Sequence, residues 1–192
     1  MATNTLKQAQ ERWKQLSETI QNMSTINAAE TKATQIARIE RARKDYAYFV
    51  EYYYPHYCTD RETGKVTPSA KFHIEAAKKI LKTRDLKAVF KWARGHAKST
   101  HMDVMIPMWL MCQKQRQIHV MVLVGKSEDN AKTLLGDIQA ELQYNKRYIH
   151  DFGPQYNAGN WQDGEFVTRN GVAFFARGRG QSSRGLRYRN RR

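Results

Sequence analysis

The sequence predicts an α/β fold, in which a parallel sheet is covered by helices and preceded by a helical arm. From residue 72 onward, short apolar segments alternate with segments of helical periodicity. This is the pattern of parallel strands joined by helices that cover both faces of the sheet. A loop ending in Lys-Ser stands between the first apolar segment and the next helix, as in phosphate-binding loops. A chain of 192 residues is long enough for one domain with a real core, alone or with an appendage.

Residues 1–44 are predicted to form the helical arm. Apolar residues recur there at steps of three and four, the spacing of a helix with one apolar stripe: Leu6, Ala9, Trp13, Leu16, Ile20 and Met23. A second periodic segment contains Ala29, Ala33 and Ile36. The stripe either packs on the chain's own domain or binds a partner subunit.

The segment from Asp45 to Cys58, DYAYFVEYYYPHYC, is unusually rich in aromatic residues. Such rings are expected to be buried in a core or to stack on nucleic-acid bases. Pro55 and the polar residues after Cys58 are typical of the end of a core helix followed by a loop. Core packing is therefore the favoured interpretation.

The remaining elements follow from periodicity and capping residues. Ser127 is expected to cap a helix with Glu128 and Asp129 in its first turn, where the helix dipole favours acids. Near the end of the chain, two apolar segments flank Arg169-Asn170-Gly171 and predict a hairpin. The other predictions are helices over Phe72–Leu81 and Ser99–Cys112, the latter kinked at Pro107, and strands over Ala88–Trp92 and Ile118–Val124.

Composition indicates a polyanionic partner. The net charge is +15 and the pI is about 9.9, and nucleic acid is the commonest polyanion that such a surface concentrates. The alternative is a basic protein whose charge serves only solubility. Two cysteines, Cys58 and Cys112, do not suggest a disulfide framework or a zinc site. We expect a cytosolic protein, since the sequence contains neither an apolar leader nor a run of membrane-spanning length.

The stretch FKWARGHAKSTHMDV, residues 90–104, is the candidate nucleotide site. It fits the phosphate-binding pattern G-x-x-x-x-G-K-[ST] at Lys98-Ser99, except that Trp92 and Ala97 hold the two glycine positions. The required order of strand, bend and helix is nevertheless present, and Gly95 supplies one glycine within the bend. A literal Gly-Lys-Ser at Gly125–Ser127 follows an apolar strand without an intervening loop, so we do not expect it to enclose a phosphate.

The chemistry of phosphoryl transfer suggests a role for each loop residue, with ATP and Mg²⁺ as cofactors. Lys98 is expected to reach the β- and γ-phosphates, Ser99 to hold Mg²⁺, and Thr100 to contact phosphate. The backbone amides of Gly95, His96, Ala97 and Lys98 would form the cradle. Arg94 either neutralises charge at the γ-phosphate or is an ordinary surface arginine.

With this loop, several segments resemble the large terminase subunit of tailed bacteriophages. ARGHAKST resembles the deviant Walker A motif of that family, with an arginine in the loop and alanine for the second glycine. The similarity extends, in order, over DYAYFVEYYYPHYC, SAKFHIEAAKKI, VLVGKSEDNAKTLLGDIQAEL and NWQDGEFVTRNGVAFFARGRGQSSRGLRYRNRR. It covers about Asp45 to Arg192, whereas the N-terminal helices are less diagnostic.

The resemblance implies an ATP-driven motor that threads double-stranded viral DNA into a preformed capsid. It further implies a ring at the portal, the portal protein and the small terminase subunit as partners, and a location in the host cytoplasm but not in the mature virion. The fold implied is a RecA-like αβα sandwich with an additional strand, followed by an RNase H-like nuclease domain. Arg94 matches the arginine that acts at the γ-phosphate, Arg184 matches one that acts on a neighbouring subunit's ATP, and Phe72 and His73 match the adenine side. No DNA-binding residue is assigned.

The sequence departs from the family at its end. A Walker B strand ending in two acids should follow Arg192, and no apolar segment of the sequence is directly followed by such a pair. Residues 45–192 are thus expected to be the N-terminal part of the ATPase domain of a longer protein, without the nuclease domain. Hydrolysis by this chain alone should fail, because acids must organise Mg²⁺ and polarise water.

The basic C-terminal segment supports two other functions. Seven arginines lie among glycine and serine there, which is typical of sequence-independent binding to nucleic-acid phosphates: Arg177, Arg179, Arg184, Arg187, Arg189, Arg191 and Arg192. The chain is alternatively a non-catalytic basic nucleic-acid-binding protein, whose binding would ignore ATP. It is also compatible with another P-loop translocase, such as a helicase, although those usually retain a fuller Gly-Lys-Ser/Thr loop.

Overall fold

The computed structural model of the chain describes residues 2–60, 62–115, 117–181 and 186. Helices α1 (Ala2–Met23) and α2 (Lys32–Lys44) form the N-terminal part. Thr31 caps α2, and its side chain accepts a hydrogen bond from the backbone N–H of Thr34, which explains why the second helix starts after a short polar connection. The two helices predicted over residues 1–44 are therefore present.

The apolar stripe of α1 packs on the chain itself. The Trp13 ring lies edge-on to Tyr144 at a centroid distance of 6.2 Å, and Arg12 pairs with Asp137 at 2.8 Å. Tyr144 and Asp137 belong to α7 (Glu128–Tyr144), the long helix that also packs on the sheet. The apolar stripe of α1 thus packs on the chain's own domain, which is the first of the two alternatives.

The aromatic segment forms the core. Asp45 caps α3 (Tyr46–Tyr53) through the backbone N–H of Tyr48, and Pro55 begins α4 (Pro55–Cys58), where a proline costs no hydrogen bond. Four rings of the segment are completely buried, and burial of aromatic surface on this scale is a major stabilising contribution: Tyr46, Phe49, Tyr53 and Tyr54. These rings are not accessible to bases, so the prediction of core packing is confirmed.

A buried ion pair joins α2 to α8 (Lys146–Phe152). Arg38 donates two hydrogen bonds to Asp151, at 2.8 and 2.7 Å, and the Tyr53 hydroxyl donates a third at 2.7 Å. Burial would raise the pKa of Asp151, but the hydrogen bonds from Arg38 and Tyr53 together lower it. We call Arg38, Tyr53 and Asp151 the α2–α8 clamp, because it fixes the N-terminal helices to the rest of the chain.

The sheet is mixed, which corrects the prediction of a parallel sheet but confirms a mixed helix and sheet protein. Its strands are β1 (Val120–Gly125), β2 (Trp161–Gln162), β3 (Glu165–Val167) and β4 (Ala173–Gly178), in the order β1-β4-β3-β2. β1 and β4 are parallel, and α7, α8, β2 and β3 lie between them in the chain, whereas β3 is antiparallel to both β4 and β2. The reason is chain length: the short connections after α8 only allow neighbouring strands to reverse.

Two predictions about this region hold. β3 and β4 form the expected hairpin, and the backbone N–H of Gly171 closes its turn on Thr168 O at 2.8 Å. Ser127 caps α7, accepting a hydrogen bond from the backbone N–H of Asn130. Strand β2, only two residues long, was not expected.

The predicted strand over Ala88–Trp92 is wrong, because this segment has no strand partner in the described part of the chain. It runs between α5 (Lys71–Lys82) and the next helical segment without regular structure, and Val89 is 83% exposed. A strand forms only when its backbone groups find a neighbour. β1, which would be a candidate neighbour, pairs only with β4 among the described strands and forms an edge of the sheet.

The helix predicted over Ser99–Cys112 is present but unevenly wound. Helical residues begin at Lys98, a π-helical segment covers Thr100–Met105, and α6 covers Ile106–Met111. Pro107 lies in the first turn of α6, where its missing N–H is tolerated. The winding therefore changes just before Pro107.

Both cysteines, Cys58 and Cys112, are buried and free. None of the helices in the described ranges is long and apolar enough to cross a membrane.

Candidate functional site

The loop that precedes Lys98 forms a tight bend over residues 93–97. Gly95 has φ +86° and Ala97 has φ +49°, so two of its five residues are in the left-handed region. Within the bend, the backbone N–H of His96 donates to Ala93 O at 3.3 Å. Glycine adopts such angles freely, but alanine does so only when the surrounding structure requires it. We call residues 93–97 the 93–97 bend.

The bend leads directly into a helix start with unused amides. The first helical hydrogen bond recorded there joins the backbone N–H of His101 to Ala97 O at 3.0 Å. The N–H groups at the beginning of a helix have no partner within the helix, and here they belong to Lys98, Ser99 and Thr100. Left-handed residues just before a helix start are typical of backbone nests, in which successive N–H groups can bind an anion.

The side chains predicted to act on the nucleotide are brought together at this helix start. Arg94, Lys98 and Ser99 are exposed, and Thr100 is half-buried. An exposed lysine next to free amides is a donor set suited to phosphate oxygens. The geometry thus places the predicted phosphate-binding residues on one short stretch of surface.

Asp103 also belongs to this stretch, and the sequence analysis missed it. Its half-buried carboxylate is close enough to the Ser99 side chain and to the charge of Lys98 for both to act on its pKa. Burial raises the pKa of Asp103, and Ser99 and Lys98 oppose that rise. The spacing of four residues between Ser99 and Asp103, which puts both on one helix face, is the sequence signal that would have found it.

His73 supports the 93–97 bend from its buried side. Its Nδ1 accepts a hydrogen bond from the backbone N–H of Ala70 at 3.1 Å, so Nε2 carries the proton and donates to His96 O at 2.9 Å. His73 is buried, and Phe72 packs on the His96 ring at a centroid distance of 5.4 Å. Both residues of the predicted adenine side therefore contact the bend, and both His73 nitrogens are used within the chain.

The sequence did not indicate His101 as a residue of the site, but His101 lies directly beneath the bend. Its ring stacks on His73 at 3.8 Å, and its Nδ1 is hydrogen-bonded to the Tyr46 hydroxyl at 2.8 Å. Burial, assisted by the neighbouring His73, lowers the pKa of His101 to about 4. His101 is therefore neutral at pH 7, and it connects the loop to the core through Tyr46.

The aromatic residues before the bend pack inward. Trp92, at the first glycine position of the pattern, contacts Phe72 at 5.2 Å and His73 at 5.0 Å. Phe90 lies 6.5 Å from Trp92. These contacts give the segment before the bend its apolar anchor in place of the predicted strand.

The literal Gly-Lys-Ser at Gly125–Ser127 has no room for an anion. A Cβ at Gly125 would lie 2.8 Å from the backbone N of Ala131, in the first turn of α7. The Ser127 hydroxyl already accepts from the backbone N–H of Asn130 at 3.2 Å. The strand therefore enters α7 directly, as the sequence indicated, and the start of that helix is filled by the chain itself.

The predicted trans-acting residue Arg184 lies outside the described residues, as do the arginines from Arg187 onward. Of the two basic residues of that segment within the described range, Arg177 lies over the Phe175 ring at 5.5 Å and reaches Glu165 at 3.8 Å. Arg177 is thus held against the sheet.

A groove of about 790 Å³ lies elsewhere, between α1 and α7. Trp13 and Leu16 line it together with charged residues of both signs: Arg12, Lys132, Asp129, Asp137 and Asp163. Burial raises the pKa of Asp137 to about 6, while Arg12 opposes this. None of the predicted nucleotide-site residues lines the groove.

Neither a protein-family model, nor a curated protein, nor a solved structure matches the chain. Within the described ranges, no three histidine, cysteine or acidic side chains are grouped so that they could hold a metal ion.

Proposed function

We propose that the chain carries the nucleotide-binding loop of an ATP-driven motor that moves double-stranded DNA, as its resemblance to terminase large subunits implies. In this proposal, the fold belongs to a RecA-like P-loop domain, and the motor works as a ring at a portal with a small terminase subunit. The location is the host cytoplasm. The single observation that carries the proposal is the 93–97 bend, with left-handed Gly95 and Ala97 immediately before Lys98 and Ser99.

The left-handed angle of Ala97 is the strongest part of that support. A phosphate-binding loop requires its residue before the lysine to be in a conformation that favours glycine. This chain keeps the conformation although the residue is alanine. Strained residues persist only where the surrounding structure enforces them, and they cluster at functional sites.

In the proposed site, the Lys98 side chain supplies positive charge and the backbone amides position the phosphates. The ammonium group of Lys98 neutralises the β- and γ-phosphates, and the amides of Gly95 and of residues 97–100 fix their oxygens. The amide of His96 is already bonded to Ala93 O. Arg94, which is exposed within the bend, is free to turn toward the γ-phosphate. Buried His73 and His101 hold the bend from below and do not contact the nucleotide in this scheme.

Mg²⁺ fits the oxygen donors at the helix start. Ser99 supplies a hydroxyl and Asp103 a carboxylate one helical turn further on, and Mg²⁺ prefers such hard oxygen ligands together with phosphates and water. When bound, the ion would neutralise charge on the phosphates. Hydrolysis also requires acids that polarise the attacking water, and the proposal for this chain is limited to nucleotide binding.

The second candidate function is a basic nucleic-acid-binding protein that does not use nucleotides. The net charge of +15 favours it. Its binding to DNA would weaken with salt and would not respond to ATP.

Binding of a fluorescent, non-hydrolysable ATP analogue tests the proposal. Lys98→Ala removes a charge-assisted contact worth about 1.5 to 3 kcal/mol, so the affinity should fall about 10- to 150-fold. The matched control is Lys126→Ala, because Lys126 is an exposed lysine within the literal Gly-Lys-Ser. We expect the control to bind like the unaltered chain.

Two results would contradict the nucleotide site. Equal binding by the unaltered chain and Lys98→Ala would remove Lys98 from it. Loss of binding in Lys126→Ala instead would transfer the site to the other motif.

A further inference from the structure

The outward face of α5 is almost entirely basic. Helical residues advance by about 100° each, and five exposed side chains of α5 lie within about 100° of one another: Lys71, Glu75, Lys78, Lys79 and Lys82. The opposite face buries His73, Ala76 and Ala77. Four lysines therefore form a stripe about 16 Å long on the solvent side of this helix.

The basic character continues into the connection after α5. Residues 71–91 contain six lysines and one arginine against two acids, Glu75 and Asp85, a net charge of +5. One third of the net charge of the chain thus lies in 21 of its 192 residues. Lys87 and Lys91 in the connection are exposed, like the lysines of the helix.

The two acids do little to neutralise this surface. Lys71 lies 3.8 Å from Glu75 and Arg84 lies 3.9 Å from Asp85, and all four side chains are at least 63% exposed. Ion pairs of this length and exposure are weak and are screened by salt. A partner with closely spaced negative charges would displace them at small cost.

The aromatic residues of this region decide between single-stranded and duplex nucleic acid. A single strand is usually held by bases stacked on exposed rings. Here Trp92 packs on Phe72 and His73, and Phe90 is half-buried, so no ring of the 71–91 segment is fully exposed. What remains on the surface is a row of flexible point charges, which suits phosphates in a regular backbone.

We infer that the exposed lysines of α5 and of the connection after it, Lys71, Lys78, Lys79, Lys82, Lys87 and Lys91, bind the phosphate backbone of duplex DNA without sequence preference. The choice of duplex DNA as the partner rests on the proposed function. The surface itself depends on the charge of α5 and not on the loop at Lys98.

The test measures duplex binding against salt concentration for the full chain and two double variants. Lys78→Gln/Lys82→Gln removes two charges from the centre and end of the stripe, with little change in helix propensity. Each lost phosphate contact reduces the slope of log affinity against log salt by about 0.9, so the slope should fall by about 2. If the contacts contribute nothing at 1 M salt, this corresponds to about 60-fold weaker binding at 0.1 M salt.

The control variant is Lys7→Gln/Lys14→Gln, which removes the same charge from exposed positions of α1. We expect its slope to stay within about 0.5 of the unaltered chain, since long-range charge is screened at these salt concentrations. Equal slopes for the two double variants would overturn the inference, because the effect would then come from net charge alone. Tighter binding of a single strand than of a duplex of equal length would overturn the choice of partner.

The inference and the proposed function fail independently. Absence of ATP-analogue binding would refute the nucleotide site and leave the two salt slopes as they are. Unchanged DNA binding in Lys78→Gln/Lys82→Gln would refute the α5 surface while the nucleotide measurements stand.

Discussion

Two separate substitutions in the 93–97 bend, Ala97→Gly and Gly95→Ala, should change the free energy of unfolding in opposite directions. Ala97 has φ +49°, where the contact between Cβ and the following carbonyl oxygen costs about 1 to 2 kcal/mol. Glycine avoids this contact but costs about 0.5 to 1 kcal/mol more in backbone entropy. Ala97→Gly is therefore expected to stabilise the chain by about 0.5 to 1 kcal/mol.

Gly95→Ala is the reverse exchange and serves as the matched control. Gly95 has φ +86°, and a Cβ built there meets no atom within 4 Å. The added methyl group therefore causes backbone strain without a clash, and the chain should lose about 0.5 to 1 kcal/mol. The two variants change the same bend by one methyl group each.

Urea unfolding, followed by circular dichroism at pH 7, measures both changes. With a slope of about 2 kcal/mol per M, the midpoints should move by about 0.3 to 0.5 M in opposite directions. A lower midpoint for Ala97→Gly would refute the reasoning, because glycine is less stable than alanine wherever the backbone is right-handed. The assignment of a phosphate-binding bend would then lose its main support.

Two further predictions concern the interior. Asp151→Ala leaves Arg38 buried without its main partner, and we expect a loss of about 3 kcal/mol in urea unfolding; this is the lower end of the usual range because Glu30 still pairs with Arg38. A loss below about 1 kcal/mol would mean that the α2–α8 clamp behaves like an exposed pair. The pKa of His101 is lowered to about 4 in the folded chain, so His101 takes up a proton more readily in the unfolded chain. Its contribution to the free energy of unfolding, on the order of 3 kcal/mol, is therefore complete above pH 6.5 and lost as the pH falls to 4. Between pH 6.5 and 4, the stability of His101→Gln should therefore fall less steeply than that of the unaltered chain. Asp137, whose pKa is raised to about 6, acts in the opposite direction but equally in both proteins. Parallel curves of stability against pH would contradict the prediction.

Periodicity and capping chemistry predict the helices well, because both act within a few residues of sequence. The apolar spacing of α1, the caps at Asp45 and Ser127 and the turn before β4 all have local causes. The burial of Tyr46 and its neighbours follows from the aromatic density of one segment. The coarse fold class follows from the same signals.

What could not be predicted depends on distant partners. Ala88–Trp92 has the composition of a strand, but whether it pairs depends on strands elsewhere in the chain. The contacts of His73 and His101 with the bend join α5 to a later helical segment. No local sequence pattern predicts these contacts. For the candidate site, the sequence indicates Lys98 and Ser99, but the left-handed angle of Ala97 became visible only with backbone geometry.

The position of β1 has a consequence for handling the protein. Its residues, VMVLVG, include no charge or proline that would discourage another strand, and Val124 at its end is 61% exposed. Exposed edge strands in natural proteins usually carry a lysine, a proline or a bulge that prevents pairing with another strand. Among the described strands, β1 has a neighbour on one side only. In concentrated solution, this edge should make the protein prone to associate through shared backbone hydrogen bonds, and Val124→Lys is the simplest remedy.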